Sequence, residues 1–216
     1  MNQRTRIKIC GLTQEADVDA AVDAGADAIG LVFHPPSPRF VSIDRAVALV
    51  ERLPPYVTPV ALFVHADRAT VAAVTGAIGH VVLQFHGDET PAECDLHGRP
   101  YIKAVRMAEG ADLLDCSRRF AGAQALLLDA HVEGYGGAGK AFDWSLVPHQ
   151  GVAHRLVLSG GLHAANVVAG IQRLRPWAVD VSSGVESSRG VKDAAAIRRF
   201  CDAVREADAR VAASIS

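Results

Sequence analysis

Four side chains that could do chemistry each stand at or just beyond the end of a short apolar run. They are Cys10 in KICGLT, Arg39 in HPPSPR, His86 in QFHGDE and Asp129 closing ALLLD. A thiol that ionises serves as a base or nucleophile, and a carboxyl group can lend a proton. Cys10 and Asp129 across one mouth would therefore make an acid/base pair. Each has a plainer account, since free cysteine often packs as a small hydrophobe and a carboxylate at a strand end often caps a loop. Arg39, in a stiff Pro-rich loop, can hold its planar fork toward a carboxylate or pair with a neighbouring acid at the surface. His86 can donate to a ligand or simply hold its turn, and the turn is favoured.

Two glycine-bearing loops add a second kind of chemistry. Ser159-Gly160-Gly161 and Ser182-Ser183-Gly184 each follow an apolar run. Convergent backbone N–H groups bind phosphate, and glycine lets the main chain come close. One such loop could be only a turn, but two in corresponding places imply a phosphorylated small molecule.

Positioning these residues takes a repeated unit. Short β-branched or aliphatic runs at 6–10, 28–32, 60–64, 81–85, 102–105, 125–129, 155–159 and 179–183 read as strands. They show little alternation, as parallel strands buried on both faces do. Ala-rich amphipathic stretches at 14–24, 42–53, 68–76, 91–96, 110–117, 143–147, 164–174 and 193–208 read as helices. Ser42, Thr90 and Asp193 are N-cap candidates, and Pro91 suits a first helical position. Eight strand–helix units in 216 residues predict an α/β fold, a single-domain (β/α)8 TIM barrel spanning 1–216. A doubly wound sheet would carry a Gly-rich GxGxxG turn after the first strand, which KICGLT lacks. In a barrel, residues at the carboxyl ends of strands face the site, and this rule selects the residues named above. Lys8, two positions before Cys10, points to the same crowded interior and needs a carboxylate; Asp180 in the strand that closes the barrel is its candidate partner. The irregular stretch AHVEGYGGAG (130–139) has the length of a lid.

Composition narrows the function. Half of the residues are hydrophobic, 21% are charged, and the formal charge is −2 with no basic run. Nucleic acid and anionic membrane surfaces are thus poor partners. No apolar stretch reaches the length of a signal peptide or membrane span, which predicts a cytoplasmic protein. The four cysteines, Cys10, Cys94, Cys116 and Cys201, show no CxxC or Cys/His spacing, so free thiols are expected rather than disulfides or zinc.

Together, KICGLT, FHPPSPRFVS, QFHGDE, LLLDA, GGAGKAFDW, LSGGL and VDVSSGVES resemble, in order, the motifs of the phosphoribosylanthranilate isomerase family of tryptophan synthesis. The resemblance runs from about Ile7 to Phe200. It implies an Amadori rearrangement of N-(5-phosphoribosyl)anthranilate to 1-(2-carboxyphenylamino)-1-deoxyribulose 5-phosphate. Asp129 would open the ribose ring as general acid, and Cys10, as a thiolate of modestly lowered pKa, would take the C2 proton. Arg39 would hold the anthranilate carboxylate, and the SGG and SSG loops would cradle the phosphate. Substrate binding would thus fall to Arg39, His86, Gly160, Gly161, Asp180, Ser182, Ser183 and Gly184. No metal, nucleotide or redox cofactor is required. One departure is Ala138 in GGAG, where a hydroxyl residue is usual.

Neighbouring enzymes differ at these positions. The sister isomerase of histidine synthesis has a carboxylate where Cys10 stands, and indole-glycerol-phosphate synthase relies on lysines, for which Lys8 and Lys103 could be mistaken. Both lysines are more simply paired interior groups. A non-catalytic sugar-phosphate sensor would keep the phosphate loops without needing both Cys10 and Asp129. A monomer is expected.

Overall fold

The computed structural model describes residues 4–130, 141–148 and 150–213. Eight parallel strands close into a barrel: β1 (Arg6–Cys10), β2 (Ala28–Val32), β3 (Thr58–Phe63), β4 (Val82–Phe85), β5 (Tyr101–Met107), β6 (Ala125–Ala130), β7 (Arg155–Leu158) and β8 (Ala178–Val181). Each pairs with the next, and β8 returns to β1. Around them lie α1 (Glu15–Asp23), α2 (Ile43–Val50), α3 (Arg68–Ala77), α4 (Pro91–Asp95), α5 (Leu113–Arg119), α6 (Ala164–Leu174) and α7 (Ala194–Ala213). Beyond β8 a short antiparallel hairpin is added, β9 (Glu186–Ser188) with β10 (Val191–Lys192). Among the described residues no helix is long and apolar enough to cross a membrane.

Strand periodicity sorts the side chains. In β1, Ile7 and Ile9 join the apolar layer beneath the helices, whereas Lys8 and Cys10 do not. In β6 the alternation separates Leu126 and Leu128, in that same layer, from Ala125 and Leu127. The latter two pack with Ala104, Val157 and Ala178 inside the barrel. Both faces are thus covered, which explains why these runs read as continuously apolar.

Local signals fix the helix starts. The Ser42 side chain accepts from the Arg45 N–H, Thr90 and Glu93 form a reciprocal capping box with Pro91 in the first turn, and Asp193 accepts from Ala195 and Ala196. Several boundaries differ from expectation. The stretch 143–147 forms only one turn of 3-10 helix, Trp144–Leu146, capped by Asp143. The helix expected at 110–117 starts at Leu113, because Asp112 caps it through the Asp115 N–H. The last helix runs on to Ala213, burying Val204 and Ala207. The proposed lid, including Ala138, lies outside the described residues apart from Ala130.

Candidate active site

Cys10, Asp129, Arg39, His86, Ser159, Gly160, Gly161, Asp180, Ser182 and Ser183 all line one cavity at the carboxyl ends of the strands. Gly184 does not. It stands behind the wall, where a side chain would run into the Leu162 carbonyl, so it spaces the loops after β7 and β8.

Cys10 ends β1 directly opposite Gly30 of β2 in the parallel register. A Cβ at Gly30 would sit 2.5 Å from the Cys10 Sγ, so glycine there makes the room the thiol occupies. Val32, Leu62 and Val64 form an apolar wall beside it. One rung below, Lys8 is paired in register with Asp180, and its Nζ lies 2.8 Å from Oδ1, both side chains being buried. This is the expected partnership. The Ser159 hydroxyl donates to the other Asp180 oxygen at 3.4 Å. Burial alone would lower the Lys8 pKa, but Asp180 and Cys10 together hold the ammonium above its usual value. For Cys10 the balance differs from the modestly lowered thiol expected: burial pushes it up, against the charge and hydrogen bond of Lys8 and the charge of Lys192. The expected lowering left out the loss of water around the sulfur.

Asp129 ends on the far side of the barrel, in β6. His86 Nε2 lies 2.8 Å from its Oδ2, and the Ala130 N–H donates to Oδ1 at 2.9 Å. His86 Nδ1 faces the Gln84 amide nitrogen at 3.0 Å. With that amide donating to Nδ1, a ring proton sits on Nε2, between the imidazole and Asp129. A histidine base at Cys10 would argue for a nucleophile. His86 instead serves Asp129.

Arg39 is buried, and Glu186 takes its Nε at 2.6 Å and its Nη2 at 2.7 Å. The expected fork is therefore occupied along one side by the protein's own carboxylate. Glu186 holds the guanidinium above its usual pKa, and Arg39 in turn keeps Glu186 below its own despite burial. Lys103 is not part of the cavity. Its Nζ binds Glu89 at 3.1 Å and the Gly87 carbonyl at 2.5 Å, tying the loop after β4.

In the loops after β7 and β8, Gly160 has a φ of 74° and packs so closely on the Ala130 N–H that a side chain could not fit. The Gly161 carbonyl accepts from Asn166 Nδ2 at 3.0 Å, which fastens the loop to α6. Ser183 enters a short 3-10 turn, Ser183–Val185, and Lys192 holds Ser182 by its carbonyl and hydroxyl, at 3.0 and 3.3 Å.

Sequence reasoning missed Gly30, Gln84, Asn166, Glu186 and Lys192. Gly30 was findable as a residue that interrupts an otherwise apolar strand. All four cysteines are free, as expected, and burial pushes Cys94 up to about 12 and Cys201 to about 11. Of the four, Cys10 alone lines the cavity.

A closed (β/α)8 barrel with two glycine-bearing loops after β7 and β8, and a thiol and carboxylate across the same mouth, has the layout of barrels that work on phosphorylated small molecules. Comparison with known proteins narrows this. The family model for N-(5'phosphoribosyl)anthranilate (PRA) isomerase matches residues 7–203. A relative from Methylibium petroleiphilum, N-(5'-phosphoribosyl)anthranilate isomerase, is 68% identical over 98% of this chain and 99% of its own. Among solved structures, phosphoribosyl anthranilate isomerase from Thermotoga maritima is 38% identical, with a TM-score of 0.86 over 94% of this chain and 99% of its own. A further structure of such an isomerase, in complex with reduced 1-(o-carboxyphenylamino)-1-deoxyribulose 5-phosphate, is 36% identical, with a TM-score of 0.83 over the same shares. The chain belongs to the N-(5'-phosphoribosyl)anthranilate isomerase family.

Proposed function

We propose that Cys10 and Asp129 carry out the family's isomerisation of N-(5'-phosphoribosyl)anthranilate, a step of tryptophan biosynthesis, by general base and general acid catalysis. The observation that carries this reading is their placement. Cys10 at the end of β1 and Asp129 at the end of β6 line one cavity from across the barrel, and His86 bonds Asp129 rather than Cys10.

Asp129, in its protonated form, gives its proton to the ribose ring oxygen, and the opened Schiff base carries positive charge. Cys10 then takes the proton from C2, and the resulting enolamine tautomerises to the ketone. Burial holds the Cys10 proton in the free enzyme. The cationic Schiff base joins Lys8 and Lys192 in favouring the thiolate when proton transfer is due. Val32, Leu62 and Val64 offer the anthranilate ring an apolar wall, Arg39 holds its carboxylate, and the loops at Gly160, Gly161, Ser182 and Ser183 cradle the phosphate. Asp180 keeps Lys8 charged beside the thiol. The test is the loss of anthranilate-type fluorescence on adding protein to freshly generated substrate. Wild type is expected to turn over. A folded wild type that binds phosphate esters without turnover contradicts the proposal.

The chain acts as one domain in the cytoplasm without nucleic-acid partners. A monomer is proposed, although the Thermotoga maritima isomerase is described as dimeric. Light scattering giving the mass of two chains would overturn this and direct attention to Tyr56, fully exposed on the loop between α2 and β3.

A further inference from the structure

The β9–β10 hairpin carries two buried charges, Glu186 and Lys192. The Lys192 side chain is fully buried and that of Glu186 is 4% exposed. Charges taken out of water are costly unless a network compensates them, and here one is complete. Glu186 gives both oxygens to Arg39. Its Oε1 also takes Lys192 Nζ at 2.8 Å, and its Oε2 accepts from the Gly190 N–H at 3.1 Å.

Two features of this cluster bear on ligand recognition. A guanidinium has five N–H donors in a fixed fork, so a carboxylate gripping Nε and Nη2 leaves the Nη1/Nη2 end able to take a second carboxylate. An Arg–Glu pair alone would be neutral and would draw an anion poorly. With Lys192 the cluster holds two positive charges against one negative.

We propose that Lys192 is a positioning residue for substrate recognition: by holding Glu186, and through it Arg39, it keeps this corner of the cavity net positive and presents the end of the guanidinium to the ring carboxylate. The inference rests on the reading of Arg39 as the carboxylate holder. Lys192 also faces Ser182, Asp17 of α1 and Cys10. A merely structural lysine would serve Ser182 and the phosphate loop instead, and the two roles part in what they bind.

The experiment measures affinity for two probes, the reduced product analogue, which carries carboxylate and phosphate, and inorganic phosphate alone. It uses wild type, Lys192→Gln, Lys192→Arg and Arg39→Met, each checked for folding by circular dichroism. Lys192→Gln keeps an N–H for Ser182 but loses the charge. It is expected to weaken the analogue roughly tenfold or more while leaving phosphate unchanged, and Lys192→Arg restores most of the loss. The rising limb of the kcat/KM profile moves to higher pH in Lys192→Gln, because Cys10, faced by Lys8, Asp180, Arg39 and Lys192, loses one of its cations. Where Lys192→Gln does not fold, Lys192→Met is read against Ser182→Ala, which loses only the hydroxyl contact to the lysine. Equal weakening of both probes, or an unchanged analogue affinity in a folded variant while Arg39→Met loses it, overturns the proposal. Unchanged analogue affinity in Arg39→Met overturns instead the underlying reading of Arg39.

Discussion

The two halves of the cavity are built differently. Around Cys10, the strand ends and the added hairpin gather Lys8, Asp180, Arg39, Glu186 and Lys192, five buried or nearly buried ionisable groups. Around Asp129 the partners are the His86 imidazole, oriented by Gln84, and one backbone N–H. The contrast follows from what each group must do. A buried thiol resists ionisation, so a base made from it needs cations, and the cations need carboxylates to be tolerated. An acid needs a proton and a fixed orientation toward the oxygen it protonates, and the hydrogen bonds supply the orientation.

The comparison breaks first at the reacting groups. Cys10→Ser and Asp129→Val are each expected to lower kcat by roughly a hundred- to ten-thousandfold with folding unchanged. Equal residual activity in one of them would remove that half from the chemistry. Lys8→Met strands Asp180 in the interior and is expected to cost about 3–5 kcal/mol in denaturant unfolding. It should also shift the rising limb of kcat/KM to higher pH, since the main cation facing Cys10 is gone.

On the other side, Gln84→Leu frees the His86 ring. The loss of one hydrogen bond of about 1–1.5 kcal/mol predicts a fall in kcat of roughly tenfold, without any movement of that limb. A shifted limb would mean that the two halves are electrostatically one. The smallest effect concerns stability in acid. Arg39 and Lys192 hold Glu186 below its ordinary value of 4.5. The stability it contributes is present above that pH and fades as pH falls through the lower folded value. Glu186→Gln should flatten this part of an acid unfolding curve.

The two halves were also unequally legible in the sequence. Cys10 and Asp129 could be read because each closes an apolar run, and a parallel barrel turns strand ends toward one mouth. Lys8 found Asp180 because barrel closure puts β1 beside β8. The hairpin that supplies Glu186 and Lys192 was invisible. Its strands of three and two residues are too short for any periodic signal, and the Arg39 that Glu186 grips lies 147 positions away in the chain. Gln84 was hidden within the strand VVLQF, where its hydrogen-bonding partner is set by the barrel's geometry rather than by spacing. Helices were clearest where a cap was present. The 143–147 stretch, which opens on Asp143, carried a cap but formed only one 3-10 turn.

The central claim is that the Cys10 thiolate removes the proton from C2 of the ribose. The most direct measurement is single-turnover isomerisation of substrate carrying deuterium at C2, in wild type and in Cys10→Ser. The account predicts a primary isotope slowing in wild type and, in Cys10→Ser, a far slower reaction in which C2 proton loss limits the rate. Retention of wild-type rate and isotope effect in Cys10→Ser would contradict it, because the proton would then be leaving to some other base.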